Sequence, residues 1–171
     1  DLGPIVNDAY FGAVPDDRLL TQHNTLFFKG DGQYRSKIGL TPKRATPVIG
    51  SYDPSRNLLT VVHYTLPDGI TDYVNSMWEL QDAPYAGDAL NSYNDGPPDA
   101  TTPPLGPFYE LETSSPAAAL SPNASITHIH RTFHFEGSSN DLNAIAQTVL
   151  GVDLPTIQSV FNTSALGSES E

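Results

Sequence analysis

From Leu26 to Phe135 the chain is written largely in twos, with apolar and polar residues alternating as they do when successive side chains point to opposite faces of a strand. Leu26–Lys29 and Gln33–Leu40 flank Gly30-Asp31-Gly32, whose glycines suit a tight hairpin turn. Thr46–Tyr52 and Leu58–Thr65 form a second pair around the turn string Asp53-Pro54-Ser55-Arg56-Asn57. Asp72–Gln81 reads as a further strand, with Val74, Trp78 and Leu80 on one face and Tyr73, Asn75, Met77 and Glu79 on the other. Asp82–Pro107 breaks the alternation with a run of prolines, and its length suits a functional loop. Two more strands follow, 105–113 and 126–137, joined by a Pro-punctuated connection. Only then does the period change. Leu142, Ile145, Ala146, Val149 and Leu150 recur at helical spacing after a capping Ser138, Ser139 or Asn140, and Gly151 suits the position just past the helix end. Asp153 and Pro155 begin a second, shorter helix docked through Ile157, Val160 and Phe161. The tail from Ser164 reads as frayed. The pattern predicts a mainly β protein: one antiparallel β-sandwich domain over 1–171, with one or two short C-terminal helices in 139–162 packed on it.

Composition narrows this picture. The 171 residues include 15 Pro and 13 Gly, and only 16% are charged, the profile of a loop-rich β domain. The net charge of −12 argues against nucleic acid and against an anionic membrane surface as partners. Six of the eight basic residues fall between Lys29 and Arg56, which makes a local basic spot on an acidic chain. No cysteine is present, so packing must supply stability, and no thiolate chemistry is open to the chain. No apolar run is long enough to span a bilayer, and no membrane insertion is expected. The start at Asp1 suits a processed chain or a piece of a longer one, and a secreted location, extracellular or periplasmic, is expected. The sequons at Asn123 and Asn162 would be glycosylation acceptors in such a setting.

Candidate chemistry gathers in 105–136. Alternation puts Glu110 and Glu112 on one face of the first strand and His128, His130 and His134 on one face of the second, and the two strands are expected to be neighbours. His128 and His130, two residues apart, would lie about 6.5 Å from one another, near enough to share a metal ion as in a cupin. His134 would stand about 20 Å from His128, too far for the same ion. The glycine of a cupin loop is missing from Leu120-Ser121-Pro122. The expectation is therefore no metal and no cofactor. Acid–base work is the alternative: His128 or His130 with Glu110, Glu112 or Glu79 could protonate one oxygen of a sugar hemiacetal while deprotonating another. No nucleophile elbow, phosphate loop or dinucleotide fingerprint is present.

The strings PIVNDAYFG (4–12), FFKGDGQYRSKIGL (27–40), DYVNSMWELQDAPYAGD (72–88), NSYNDGPP (91–98), LGPFYELETSSP (105–116), THIHRTFHF (127–135) and LGVDLPTI (150–157) resemble a bacterial domain-of-unknown-function family. The strand–Leu-x-Pro–strand unit is also similar to the C-terminal part of galactose-mutarotase-like β-supersandwiches. The resemblance implies a large antiparallel sandwich with carbohydrate-related ancestry. It also implies that the chain corresponds to the C-terminal portion of longer members. Mutarotases use a His/Glu pair, and Glu79, Glu110, His128 and His130 are the positions onto which such a role would carry over.

The resulting expectation is a carbohydrate-recognising, mutarotase-like domain, catalytic or not. Arg35 and Lys37 would meet an acidic sugar, Glu112 would share the floor, and Tyr85, Tyr93 and Trp78 would stack or form the rim. The alternative is a self-assembling subunit of an oligomer or extracellular fibre. Incomplete sheet edges would then recruit a neighbour's strand, with Asp1–Phe11 as donor and a homo-oligomer or filament as product.

Overall fold

The computed structural model describes residues 2–162. In chain order its strands are β1 (Leu19–Gln22), β2 (Thr25–Phe28), β3 (Ser36–Leu40), β4 (Val48–Asp53), β5 (Leu58–Tyr64), β6 (Leu90–Asn94), β7 (Tyr109–Thr113) and β8 (His130–Glu136), and its helices are α1 (Ser139–Leu150) and α2 (Leu154–Ser159). The class is the one expected: mainly β, three antiparallel sheets and two short C-terminal helices, consistent with a β-sandwich. The described residues fall into two compact units. One takes 2–13, 30–47 and 63–131, the other 14–29, 48–62 and 132–162.

The first unit is organised by the sheet β3-β6-β7. Lys37 lies opposite Tyr93 and Tyr93 opposite Glu110, while Gly39 lies opposite Asn91 and Asn91 opposite Glu112. These two rows share one face of the sheet. The other face carries Ser36, Ile38, Leu90 and Asn94, all buried. Asn94 holds the preceding loop: its Oδ1 accepts from Gly32 N (2.8 Å), and its Nδ2 donates to Tyr34 O (2.8 Å) and Asp31 Oδ1 (3.3 Å).

In the second unit, sheet β4-β5-β8 and helices α1 and α2 enclose a core of Leu59, Val61, Leu142, Ala146 and Leu154. Ser138 Oγ caps α1 by accepting from Asp141 N, and Gly151 closes it at φ 71°. Asp153 Oδ1 caps α2 through Thr156 N, with Pro155 in the first turn. Asn143 Oδ1 accepts from Leu154 N (2.8 Å) and ties the two helices together.

Four expected features are corrected. Thr25–Phe28 does not pair with the segment after Gly30-Asp31-Gly32; it pairs with Leu19–Gln22. His23, at φ 53°, makes that turn. Asp72–Gln81 is no strand beyond a single bridge from Tyr73 to Ala86. Asn75 Oδ1 takes the Met77 N–H and Gln81 Nε2 takes the Met77 carbonyl, so local side chains occupy groups that a ladder would need. The stretch Asp82–Pro107 contains a strand, β6, central to its sheet. Lastly, β7 and β8 belong to different sheets, and the neighbour of β7 is β6.

Truncating Leu142, 1% exposed in the second unit's core, leaves a cavity that α1 cannot close. Leu142→Ala is expected to lower the unfolding free energy by about 2–5 kcal/mol, read from urea denaturation. A loss below about 1 kcal/mol would show that the packing described for this helix is wrong.

Candidate functional site

The polar face of sheet β3-β6-β7 is built from β-strand alternation and then covered by the N-terminal segment. Asn7 exchanges both backbone hydrogen bonds with Gly39 (2.8 and 2.7 Å), which lays residues 7–11 along the sheet. Tyr10 then reaches into the face. Its hydroxyl donates to Asp88 Oδ2 (2.7 Å) and accepts from Asn91 Nδ2 (3.1 Å) and Ser76 Oγ (3.5 Å). Asn7 Nδ2 donates to the same carboxylate oxygen (2.8 Å). Burial, with the Asp88 carboxylate beside it, pushes the Tyr10 phenol up to about 12.

Next to Tyr10 stands an ion pair. Lys37 Nζ lies 2.9 Å from Glu112 Oε2 and 5.2 Å from the centre of the Tyr10 ring. Glu110, one pleat along from Glu112, is within hydrogen-bonding reach of it. Partial burial, the Glu112 charge and the hydrogen bond to Glu112 raise the Glu110 carboxyl above the ordinary carboxylate range, against the lowering pull of Lys37. Glu112 Oε1 is buried and takes no hydrogen bond from an N–H or a hydroxyl.

Aromatic rings border the pair. Phe11 meets Tyr93 edge-on (5.9 Å) and Tyr93 meets Phe108 (5.9 Å), while the Arg35 guanidinium lies 4.3 Å from the centre of the Phe11 ring. Tyr93 Oη donates to Asp95 Oδ1 (2.7 Å), and Asp95 Oδ2 accepts from Gly106 N (2.9 Å), which closes the proline-rich loop back onto the strand end. The Tyr93 hydrogen bond, with backbone donors behind it, holds the Asp95 carboxyl below its usual range.

The histidines occupy a different place. Ile129 is bonded on both sides to Thr65, with Thr65 N donating to Ile129 O (2.9 Å) and Ile129 N to Thr65 Oγ1 (3.2 Å). His128 and His130 flank it and converge on one hydroxyl: His128 Nε2 and His130 Nδ1 each lie 2.9 Å from Thr113 Oγ1. A hydroxyl has one proton to give, so at least one of these nitrogens carries hydrogen. Alternation places Thr113 on the side of β7 opposite Glu110 and Glu112. The structure thus brings the two histidines together and the two glutamates together, but not the one pair to the other. Behind His128 lies Tyr64, whose ring centre is 6.2 Å from the imidazole, and burial raises its phenol as it does that of Tyr73. His134 lies elsewhere, 3.0 Å from Thr60 Oγ1. Among the described residues, no group of three His, Asp or Glu side chains is placed to hold a metal ion.

Of the remaining expected residues, Glu79 and Tyr85 are exposed on the irregular 75–85 segment, and Trp78 beside them is 97% exposed. Ser76 joins this segment to the polar face through Tyr10. Lys37, Arg35 and Tyr93 do belong to the face. The sequence reading missed Asn7, Tyr10, Asp88, Asn91 and Asp95. Asn91 and Asp95 lie two residues to either side of Tyr93, a signal of period two that a strand assignment over 90–94 would have exposed. A cleft of about 470 Å³ in the second unit lies between the β1–β2 turn and the α1–α2 junction. Its carboxylate, Asp153, serves as the α2 cap.

Comparison with known families adds one finding. The model of a family of unknown function, DUF6786, matches residues 1–161. The chain belongs to this family. No curated protein and no solved structure matches the chain. The match takes in both the N-terminal segment that carries Tyr10 and the strands that carry the glutamates. Among the described residues no helix is long and apolar enough to cross a membrane.

His128 gives a pH prediction. Burial, and secondarily the charge on His130, lowers its affinity for a proton below that of an unfolded histidine near 6.5. Below that pH the unfolded chain takes up a proton that the folded one resists, so stability falls as pH drops through the histidine range and levels off once the folded imidazole also titrates. His128→Gln, which keeps a partner for Thr113 but does not titrate, is expected to reduce the drop in urea midpoint between pH 7.5 and pH 5.5. Equal drops in both proteins would dismiss the assignment.

Proposed function

We propose that the Lys37–Glu110–Glu112 face recognises a carbohydrate. The observation that carries this reading is the carboxyl pair flanked by rings. Carboxyl groups meet neighbouring sugar hydroxyls as donor and acceptor together, and aromatic faces cover the C–H side of a pyranose. Here partial burial and the neighbouring Glu112 charge raise the Glu110 carboxyl above the ordinary carboxylate range, while Glu112 is paired with Lys37 at 2.9 Å. Phe11, 43% exposed, and Trp78 offer ring surface to solvent. The resemblance of the strand–Leu-x-Pro–strand sequence to galactose-mutarotase-like β-supersandwiches agrees with the same reading. A binding role has more support than hemiacetal chemistry by a His/Glu pair, because His128 and His130 lie against Thr113 and not beside the glutamates.

Self-assembly by strand donation has less support. The segment expected to reach a neighbour is seated on its own chain, with Asn7 bonded both ways to Gly39.

Binding of soluble oligosaccharides, first found on a glycan array and then measured by calorimetry, tests the proposal. Glu112→Gln and Trp78→Ala are each expected to weaken binding roughly tenfold or more, the scale of a lost charged hydrogen bond or of a lost stacking contact with its buried area. His128→Ala is expected to bind as well as the parent protein. A protein that binds no glycan, or one in which only the histidine substitution matters, would overturn this reading.

A further inference from the structure

We infer that the sugars this face accepts carry no carboxylate, sulfate or phosphate group. The inference rests on the carbohydrate reading above and adds the class of ligand. Six formally charged side chains define the face: the acids Glu110, Glu112, Asp88 and Asp95, and the bases Lys37 and Arg35. Acids outnumber bases by four to two, and the imbalance persists with Glu110 protonated, three to two.

Neither base is disposed to receive an anion. Lys37 is held at 2.9 Å by Glu112, with its ammonium over the Tyr10 ring. Arg35 lies against Phe11 and is close enough to Tyr93 to act on its hydroxyl. An anionic group approaching either cation would have to displace a contact already made and would meet the Glu112 or Asp95 carboxylate behind it. Like charges brought together in a partly desolvated site cost several kcal/mol. Asp88 cannot turn away to relieve this, since Tyr10 and Asn7 both donate to its Oδ2 and it sits against Gly39, where a side chain would collide with it. A hydroxyl pays no such charge penalty and can hydrogen-bond to Glu110, the exposed carboxyl of the face. The cluster of basic residues between Lys29 and Arg56, which in the sequence suggests an acidic ligand, is therefore neutralised where it reaches this face.

The test compares matched oligosaccharides that differ only in oxidation at one carbon, a neutral hexose series and its uronate counterparts, by calorimetry at low and moderate salt. The neutral series is expected to bind at least about tenfold more tightly, with the gap narrowing as salt is added. Glu112→Gln, which releases Lys37, is expected to shrink or reverse the preference by improving uronate binding. Glu110→Gln serves the same purpose, with a smaller shift, should the first variant fail to fold by circular dichroism. Tighter binding of the uronates by the parent protein would overturn this inference and leave carbohydrate recognition standing. No binding of either series at any salt would overturn both.

Discussion

The register of β6 is the constraint on which the rest of the candidate site depends. This strand lies between β3 and β7, and its two odd-numbered residues, Asn91 and Tyr93, each face a residue on both sides. One row then reads Lys37, Tyr93, Glu110 and the next Gly39, Asn91, Glu112. The contact between Lys37 and Glu112 runs diagonally between those rows, a distance that long side chains cover. A slip of one residue would turn Asn91 and Tyr93 away and bring Leu90, Ser92 and Asn94 to the polar side. The ion pair, the carboxyl pair and the Tyr10 contacts would go together. Asn94 guards against such a slip, since its amide holds three groups of the 31–34 loop that only this register presents.

That same strand explains what the sequence hides. Leu90-Asn91-Ser92-Tyr93-Asn94 has two asparagines and a serine, residues depleted in strands or neutral, and it lies within a proline-rich stretch. Its burial is achieved through hydrogen bonds, with Asn91 bonded to Tyr10 and Ile38 and Asn94 to its loop. A reading based on apolar alternation has no means of finding a strand whose buried side chains, Leu90 apart, are amides. With β6 hidden in an expected loop, 126–137 is the nearest available partner for 105–113, and the expectation places the histidines on one floor with the glutamates. The opposite error occurs at 72–81. There the alternation of Val74, Trp78 and Leu80 is regular, yet the three side chains are 59%, 97% and 101% exposed. Alternation signals a strand only where something covers one face.

Other parts were legible because local chemistry fixes them. The pair β4–β5 is where its turn string places it, between Asp53 and Asn57, with Asp53 Oδ1 accepting from Ser55 N (2.9 Å) and Asn57 at φ 47°. The caps of α1 and α2 fall at Ser138, Gly151 and Asp153, as the periodic apolar residues between them require. Lys37, Glu110 and Glu112 were recognised as residues able to do chemistry. Their mutual arrangement was not, because it depends on β6 lying between β3 and β7 and joins residues 75 positions apart in sequence.

Gly39 shows how a position without a side chain decides which groups remain available to a ligand. Its missing Cβ leaves room for the Asp88 carboxylate to lie flat on the sheet, and its backbone holds Asn7. With Asp88 there, Tyr10 gives its proton to that carboxylate and takes hydrogen bonds from Asn91 and Ser76, which uses the hydroxyl fully. Tyr10 is thus a wall of the face and a cover for the Lys37 ammonium, and it has no donor left over. Lys37 in turn is directed to Glu112. The carboxyl group that keeps hydrogen-bonding capacity toward solvent is Glu110, exposed and raised by partial burial and by the Glu112 charge, while Glu112 holds the lysine. The absence of one methyl group on β3 therefore sets, through Asp88, Tyr10 and Lys37 in turn, which acid on β7 meets whatever arrives at the face.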